Sequence, residues 1–355
     1  MIRRLTINNL KSIKNLEMEC SNINLLIGTN SSGKSSIIQG LLFFGQNIEN
    51  AVGLNGSFVS LGSLEENRCV YSDEKEISTE IEENNHKWKA ALYYKNDVLT
   101  LNRNFGSDEN TQLTLNIQYL SCHRVGPQNV YKRNMSMDDR IGNNGEYAIS
   151  YLNTHGTDVL DENLCREMQD YTLLGQVNWW LKYITEADVS TEEILGTDLV
   201  KASYSMNDLR GIRPENIGSG ISYLVSILIM CLASPENAVL VIENPEIHLH
   251  PSAQAKVCEF LYFIASANRQ LFVESHSDHI FNGFRAGITT GEMNDDEINM
   301  QFVQLNEEHV TETLKIKIGR FGRVENQQQG LFDQFDLDMN RMIGVRGEKD
   351  GADFK

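Results

Sequence analysis

The sequence predicts an α/β fold built on a parallel sheet, and three features predict it. From residue 217 onward, apolar helical and strand patterns alternate: "ISYLVSILIMCLA", "AVLVIE", "SAQAKVCEFLYFIA", "QLFVES" and a further helix. Near the N-terminus the buried-type run "INLLIG" ends in glycine and leads through a small-residue turn into the helical pattern "SSIIQGLLFFGQNI". Between them, residues 55–120 read as an antiparallel, β-rich segment with polar turns.

The elements follow in order. "RRLTINNL" alternates as a strand. "FVSL", "KWKAALYY", "VLTLNRNF" and "TLNIQYL" are strand candidates of the β-rich segment, and residues 127–150 are polar and glycine-rich, as in a loop. Residues 155–210 read mainly as helix, including "LLGQVNWWLKYI", where Trp179 and Trp180 suit packing better than base stacking. "NMQFVQL" and "VTETLKIKI" close the chain as strands before a polar tail. One large unit over 1–355 is expected, with a β-rich lobe at 1–150, a helical insertion at 151–215 and a second lobe at 216–355.

Composition bounds the function. The chain has 355 residues, 41% hydrophobic and 23% charged, enough to bury a sizeable core. A net charge of −18 argues against a general nucleic-acid coat, which needs clustered cations. Two loose basic groups remain: Arg3, Arg4, Lys11 and Lys14, and Arg124, Lys132, Arg133 and Arg140. Six scattered cysteines without a C-x-x-C pair read as reduced core thiols. No apolar run is long enough to span a bilayer, so a soluble cytoplasmic protein with no membrane partner is expected.

"GTNSSGKS", Gly28 to Ser35, fits G-x-x-x-x-G-K-[ST] between a predicted strand and a predicted helix. Its glycines permit the tight turn, and the amides of Asn30, Ser31, Ser32 and Gly33, with Ser36 at the helix start, can surround phosphate oxygens. Lys34 would reach the β and γ phosphates of ATP, and Ser35 would place its hydroxyl on Mg2+. "AVLVIENPE" ends in Glu243, an acid placed to support the same metal. "LFVESHS" brings His276 to a neighbouring strand end, where it can reach a γ-phosphate. In "RPENIGSGISYL", Gly218, Ser219 and Gly220 precede an apolar helix; they either face a phosphate or simply cap the helix through Ser219. His248 and His250 lack a third zinc ligand at suitable spacing.

In this order the motifs resemble those of ABC-type ATPases of the SMC/RecF/OLD group. The opening "LTINNLKSIKNLEMECSNINLLIGTNSSGKSSII", the signature-like "NIGSGISYL", the acid strand and D-loop "VIENPEIHLHP" and the switch "VESHSDHI" carry the resemblance. "YLSCHRVGPQNVY", "IGNNGEYAISYL" and "GLFDQFDLD" are similar to segments of stand-alone bacterial members. The resemblance implies a RecA-like/ABC-type P-loop core with an N-terminal antiparallel β subdomain and a helical insertion. It implies two ATP molecules held between two chains, each by one chain's phosphate loop and the other's signature turn. Gly218, Ser219 and Gly220, with Ser222, would then touch the partner's γ-phosphate, and His276 would sense it. The Q-loop would fall around "FVSLGSLEE".

The pattern departs at Asn244, where many relatives carry a glutamate that polarises water; an amide cannot accept the proton. Glu246 either serves instead or is a surface acid preceding a helix. Slow hydrolysis and a long-lived ATP-bound dimer are expected. The chain contains no recognisable nuclease, and "DLD" at Asp336 and Asp338 is an isolated D-x-D. By analogy with two-gene anti-phage systems, Septu-like or retron-associated, the effector is a separate nuclease. The competing readings are a nucleotide-held scaffold restraining a toxic partner and a RecF-like DNA-repair ATPase that binds DNA.

Overall fold

Two sheets enclose the first long helix. The computed structural model describes the chain apart from residues 49, 85, 105–112, 114, 137–139, 167–169, 333–337, 340 and 343–355. The strands in chain order are β1 (Arg4–Leu10), β2 (Ile13–Glu19), β3 (Ile23–Gly28), β4 (Ile77–Glu83), β5 (His86–Lys95), β6 (Val98–Asn104) and β7 (Ile117–Leu120). There follow β8 (Tyr131–Lys132), β9 (Ala187–Glu193), β10 (Leu199–Met206), β11 (Leu209–Ile212), β12 (Val239–Glu243), β13 (Gln270–Glu274), β14 (Ile298–Leu305) and β15 (Thr311–Lys315). The helices are α1 (Lys34–Gln46), α2 (Leu64–Asn67), α3 (Ala148–His155), α4 (Leu173–Thr185), α5 (Ser219–Ala233), α6 (Pro251–Ser266) and α7 (Asp278–Thr290).

The central sheet runs β15-β14-β3-β13-β12-β7. All neighbours from β14 to β7 are parallel, and β15 pairs antiparallel at the edge. Its inner strands are covered on both faces, which explains their unbroken apolar runs. Alternation then decides which core each side chain joins. Leu26, Val239, Val241 and Phe272 enter a core with α1, whereas Leu25, Leu240, Ile242, Leu271 and Val273 enter a core with α4, α5 and α6. A second sheet, β2-β1-β4-β5-β6, is antiparallel and closes over α1. Buried between two sheets, α1 is apolar all round, with Ile37, Ile38, Leu41, Leu42, Phe43 and Phe44 fully enclosed.

Three expectations are corrected. Of "TLNIQYL", Ile117–Leu120 form β7, which joins the parallel sheet beside β12 and not the antiparallel one. "FVSL" is not a strand: Gln46 Oε1 accepts the N–H groups of Phe58 and Val59, so those donors are spent locally. Over 155–210, α4 forms, but β9, β10 and β11 occupy the stretch read as further helix. That stretch alternates buried and exposed positions, a period its helix-favouring Glu, Lys, Ala and Met residues disguise.

Trp180 is fully buried, edge-on to Phe260 at 5.0 Å, in keeping with a packing role. Asp336 lies outside the described residues. No helix among the described residues is long and apolar enough to cross a membrane.

Candidate functional site

The C-terminal ends of β3, β13 and β12 converge below the start of α1. Alternation directs Glu243 (after Val239 and Val241) and Glu274 (after Gln270 and Phe272) onto the α1 side of the sheet. The two are register partners on adjacent parallel strands, so their side chains stand next to each other. The α1 side is also where Gly28 to Ser35 turns from strand to helix.

The loop's glycines are required by their surroundings. Gly28 has φ 149°, and a Cβ there would lie 2.0 Å from the Val303 carbonyl oxygen. Gly33 has φ 104°, and its Cβ would meet Thr311 Oγ1 at 2.2 Å. Thr311, the first residue of β15, donates its hydroxyl to the Ser32 carbonyl at 2.9 Å and so fixes the loop from outside. Lys34 Nζ donates to the carbonyls of Gly28 (3.1 Å) and Thr29 (2.8 Å), which aims the ammonium back over the loop. Burial lowers the Lys34 pKa, and Glu274 partly offsets this. Together the loop, Glu274 and His276 line one open cleft of about 360 Å3, within the range of small-molecule sites.

Ser35 Oγ donates to Glu274 Oε1 at 2.9 Å. Glu274 is a site residue beyond those the sequence singles out: it ends an apolar strand two residues before the more conspicuous His276. Burial, with Glu243 alongside, raises the Glu274 carboxyl to about 7, although Ser35 and Lys34 favour its charged form. The Glu243 carboxylate accepts from the Tyr119 hydroxyl (3.1 Å) and the Cys122 amide (2.9 Å). Ser35 is thus bonded to the acid of β13, one strand closer than the expected acid of β12.

Arg124 also lies here, and not in a surface basic patch. It is 4% exposed and donates to the carbonyls of Ser121 (3.1 Å), Glu243 (2.5 Å) and Asn244 (2.7 Å). Burial lowers its pKa to about 10, with Glu246 opposing, so it stays charged at neutral pH. The segment that follows the acid strand is thereby held in an unusual shape. Asn244 adopts φ 46°, a left-handed conformation that asparagine tolerates, and its amide donates to the Glu274 carbonyl at 2.7 Å. Glu246 turns inward: its Oε1 accepts the His276 amide at 2.8 Å, and burial raises its pKa. His276 is 40% exposed, with Nε2 3.9 Å from Glu274 Oε1, and burial followed by Lys34 lowers its pKa.

Ser32 Oγ, Asn244 Oδ1, Glu246 Oε2 and Glu274 Oε2 are buried without hydrogen-bond partners. Such orphans are rare in folded proteins unless a ligand meets them, and these cluster around the loop and strand ends. The donors on hand, a serine hydroxyl and two carboxylates, are hard oxygens of the kind Mg2+ selects, so the residues present fit that ion.

The glycine-serine turn is elsewhere. Gly218 caps α5 with φ −55°, and Ser219 is its first helical residue, so Ser219 does not serve as the N-cap. Gly218 and Gly220 line a second cleft with His248, Leu249, His250 and Lys256, sharing no residue with the phosphate-loop cleft. A Cβ on Gly220 would lie 2.4 Å from the His248 carbonyl, whereas Gly218 has open space around it. Ser222 is buried, and its Oγ lies 3.4 Å from the Tyr204 hydroxyl, so it faces the core and not the turn's open side. His250 caps α6 through Nδ1, and the His248 ring lies 5.3 Å from Tyr223. "FVSLGSLEE" contains no glutamine; its Ser63 and Glu66 form a capping box on α2.

A family model described as AAA ATPase domain matches residues 1–138 and 178–281. The DNA replication and repair protein RecF of Actinobacillus pleuropneumoniae serotype 5b (strain L20) is 30% identical over 112 residues, 31% of this chain and 28% of that protein. The RecF of serotype 3 (strain JL03) matches equally. The chain thus spans 28% of the length of these curated relatives. Among solved structures, an SMC head bound to the C-terminal winged-helix domain of ScpA is similar with TM-score 0.56 at 14% identity, covering 89% of this chain and 98% of that one. The SMC head domain with an extended coiled coil from Pyrococcus furiosus, bound to the C-terminal domain of ScpA, gives 0.53 at 13% identity, covering 98% and 99%.

Proposed function

Since the chain belongs to the AAA ATPase domain family, we propose that it is an ABC-type ATPase of the SMC/RecF type that binds Mg-ATP between two copies of itself, hydrolyses it slowly and thereby controls a separate effector nuclease. The observation that carries the two-copy reading is the separation of its two phosphate-facing elements. Gly28 to Ser36 and the Gly218–Gly220 turn open onto different clefts, so one chain does not close both around one nucleotide.

In this mechanism the loop amides and Lys34 would hold the β and γ phosphates, while Ser35 and Glu243 would hold Mg2+. Mg2+, when bound, neutralises charge on the phosphate oxygens. His276 lines the same cleft and donates to a γ-phosphate through its ring. The position after the acid strand supplies only an amide. Asn244 orients a water but takes no proton, and Glu246 has one carboxylate oxygen occupied by the His276 amide, so it is not free to align on that water. Slow turnover follows.

The test is steady-state phosphate release together with light-scattering mass in ATP, with Lys34→Ala as background. Release slower than about 1 s⁻¹, with ATP-dependent doubling of mass, is the expected result. A chain that stays single at saturating ATP would end the sandwich reading. Co-purification from the native operon tests for the nuclease.

The RecF similarity favours a second reading, a DNA-repair ATPase. Its discriminating outcome is DNA binding by this chain alone with a steep inverse dependence on salt.

A further inference from the structure

We propose that Glu274 is a second carboxylate ligand of the divalent cation at the phosphate loop, completing with Ser35 and Glu243 a site of two acids and one hydroxyl. The inference rests on the Mg-ATP reading above and deepens it.

Three observations converge on it. Glu274 is 4% exposed, yet it lines the phosphate-loop cleft. One of its oxygens receives the Ser35 hydroxyl at 2.9 Å, while Oε2 is buried with no partner. It is the register partner of Glu243, so two carboxylates stand side by side on one face. A buried acid of this kind is costly unless it is paired or coordinates a metal. A divalent cation accounts for all three: it satisfies the free oxygen, offsets the charge of two adjacent acids and lets the Ser35 hydroxyl turn its lone pairs to the ion. Mg2+ sites commonly use one or two carboxylates beside substrate phosphates, so two acids are within its habit.

The test uses the full chain and Mn2+ as the probe, titrated by EPR with and without a slowly hydrolysed ATP analogue. Glu274→Gln keeps the shape and an acceptor for Ser35 but removes the charge. Its Mn2+ affinity is expected to fall by about 10-fold or more, in the range for lost metal-site partners. Binding of a fluorescent ATP analogue in EDTA is expected to be retained or tightened, because a carboxylate beside the phosphates is removed. If Glu274→Gln does not fold, Glu274→Asp, which retracts the carboxylate, is expected to weaken Mn2+ at least threefold. Mn2+ affinities of variant and wild type within twofold, in either titration, overturn the proposal. Failure of the wild type to bind the analogue at all would instead overturn the Mg-ATP reading, and the nucleotide-free titration still decides the role of Glu274.

Discussion

Arg124 Nη1 donates to the Glu243 carbonyl at 2.5 Å while its Nη2 donates to the Asn244 carbonyl at 2.7 Å. One buried guanidinium thus spans the peptide where the acid strand ends. The Asn244 carbonyl also accepts the Ile247 N–H at 3.3 Å, so the arginine adds a second donor there and a charged donor to the Glu243 carbonyl where the strand ends.

Removing that side chain should therefore unfold as well as inactivate. Arg124→Ala is expected to lose about 2–4 kcal/mol of stability, since it abandons several buried acceptors at once. Arg124→Lys keeps a charge but not the fork, and should fall between. Urea midpoints measure both; an Arg124→Ala midpoint equal to wild type would show that the clamp is dispensable.

Two glycine substitutions should separate folding from assembly. Gly28→Ala places Cβ 2.0 Å from a backbone oxygen, in a conformation unsuited to side chains. It should lower stability by a few kcal/mol, about the cost of strain at a special position, and abolish nucleotide binding. Gly218→Trp enters open space at φ −55°. It should leave the urea midpoint and ATP affinity of the single chain alone, yet eliminate the ATP-dependent mass increase. A Gly218→Trp chain that still doubles in ATP would move the dimer contact to another surface.

Asn244→Glu should raise phosphate release by about 10-fold or more, below the 10²–10⁴ a fully aligned general base supplies. A backbone penalty of about 1–2 kcal/mol accompanies it, because glutamate tolerates φ 46° less well than asparagine. Unchanged turnover, in a variant that folds and binds ATP, would assign the slow step to something other than proton transfer.

The metal-free protein should lose stability as pH rises from about 4.5 to about 7. Glu274 has its folded pKa raised to about 7 from an ordinary value of 4.5. In that window the folded chain holds more protons than the unfolded one, so unfolding becomes easier with rising pH. Glu246, also raised by burial, acts in the same direction. Glu274→Gln should flatten the slope, measured as urea midpoints at pH 5 and 7.5 in EDTA. An equal slope in both proteins would place the Glu274 carboxyl at an ordinary pKa.

How far the fold was legible depended on the kind of signal. "INLLIGTNSSGKSS" was readable because glycine spacing, a strand before and a helix after must coincide for the turn to form. Glu243 was readable because a charge ending a five-residue apolar strand needs a reason to be there. Glu274 ends a strand of the same kind, but the histidine two residues later was the more familiar feature, and only pairing of β12 with β13 puts the acids together. Arg124 could not be placed from sequence, because nothing local marks a loop arginine as buried; two of its three acceptors are 119 and 120 residues away. The stretch from Ala187 to Ile212 was misread because its composition favours helix while its burial alternates.

The two separated clefts also have a genetic meaning. If each nucleotide takes its loop from one chain and its turn from another, then Lys34→Ala and Gly218→Trp damage opposite halves of a composite site. A mixed pair contains one wholly damaged site and one wholly intact site. Two alleles inert alone would complement each other when co-expressed, while either one mixed with wild type would spoil one pocket of every hybrid.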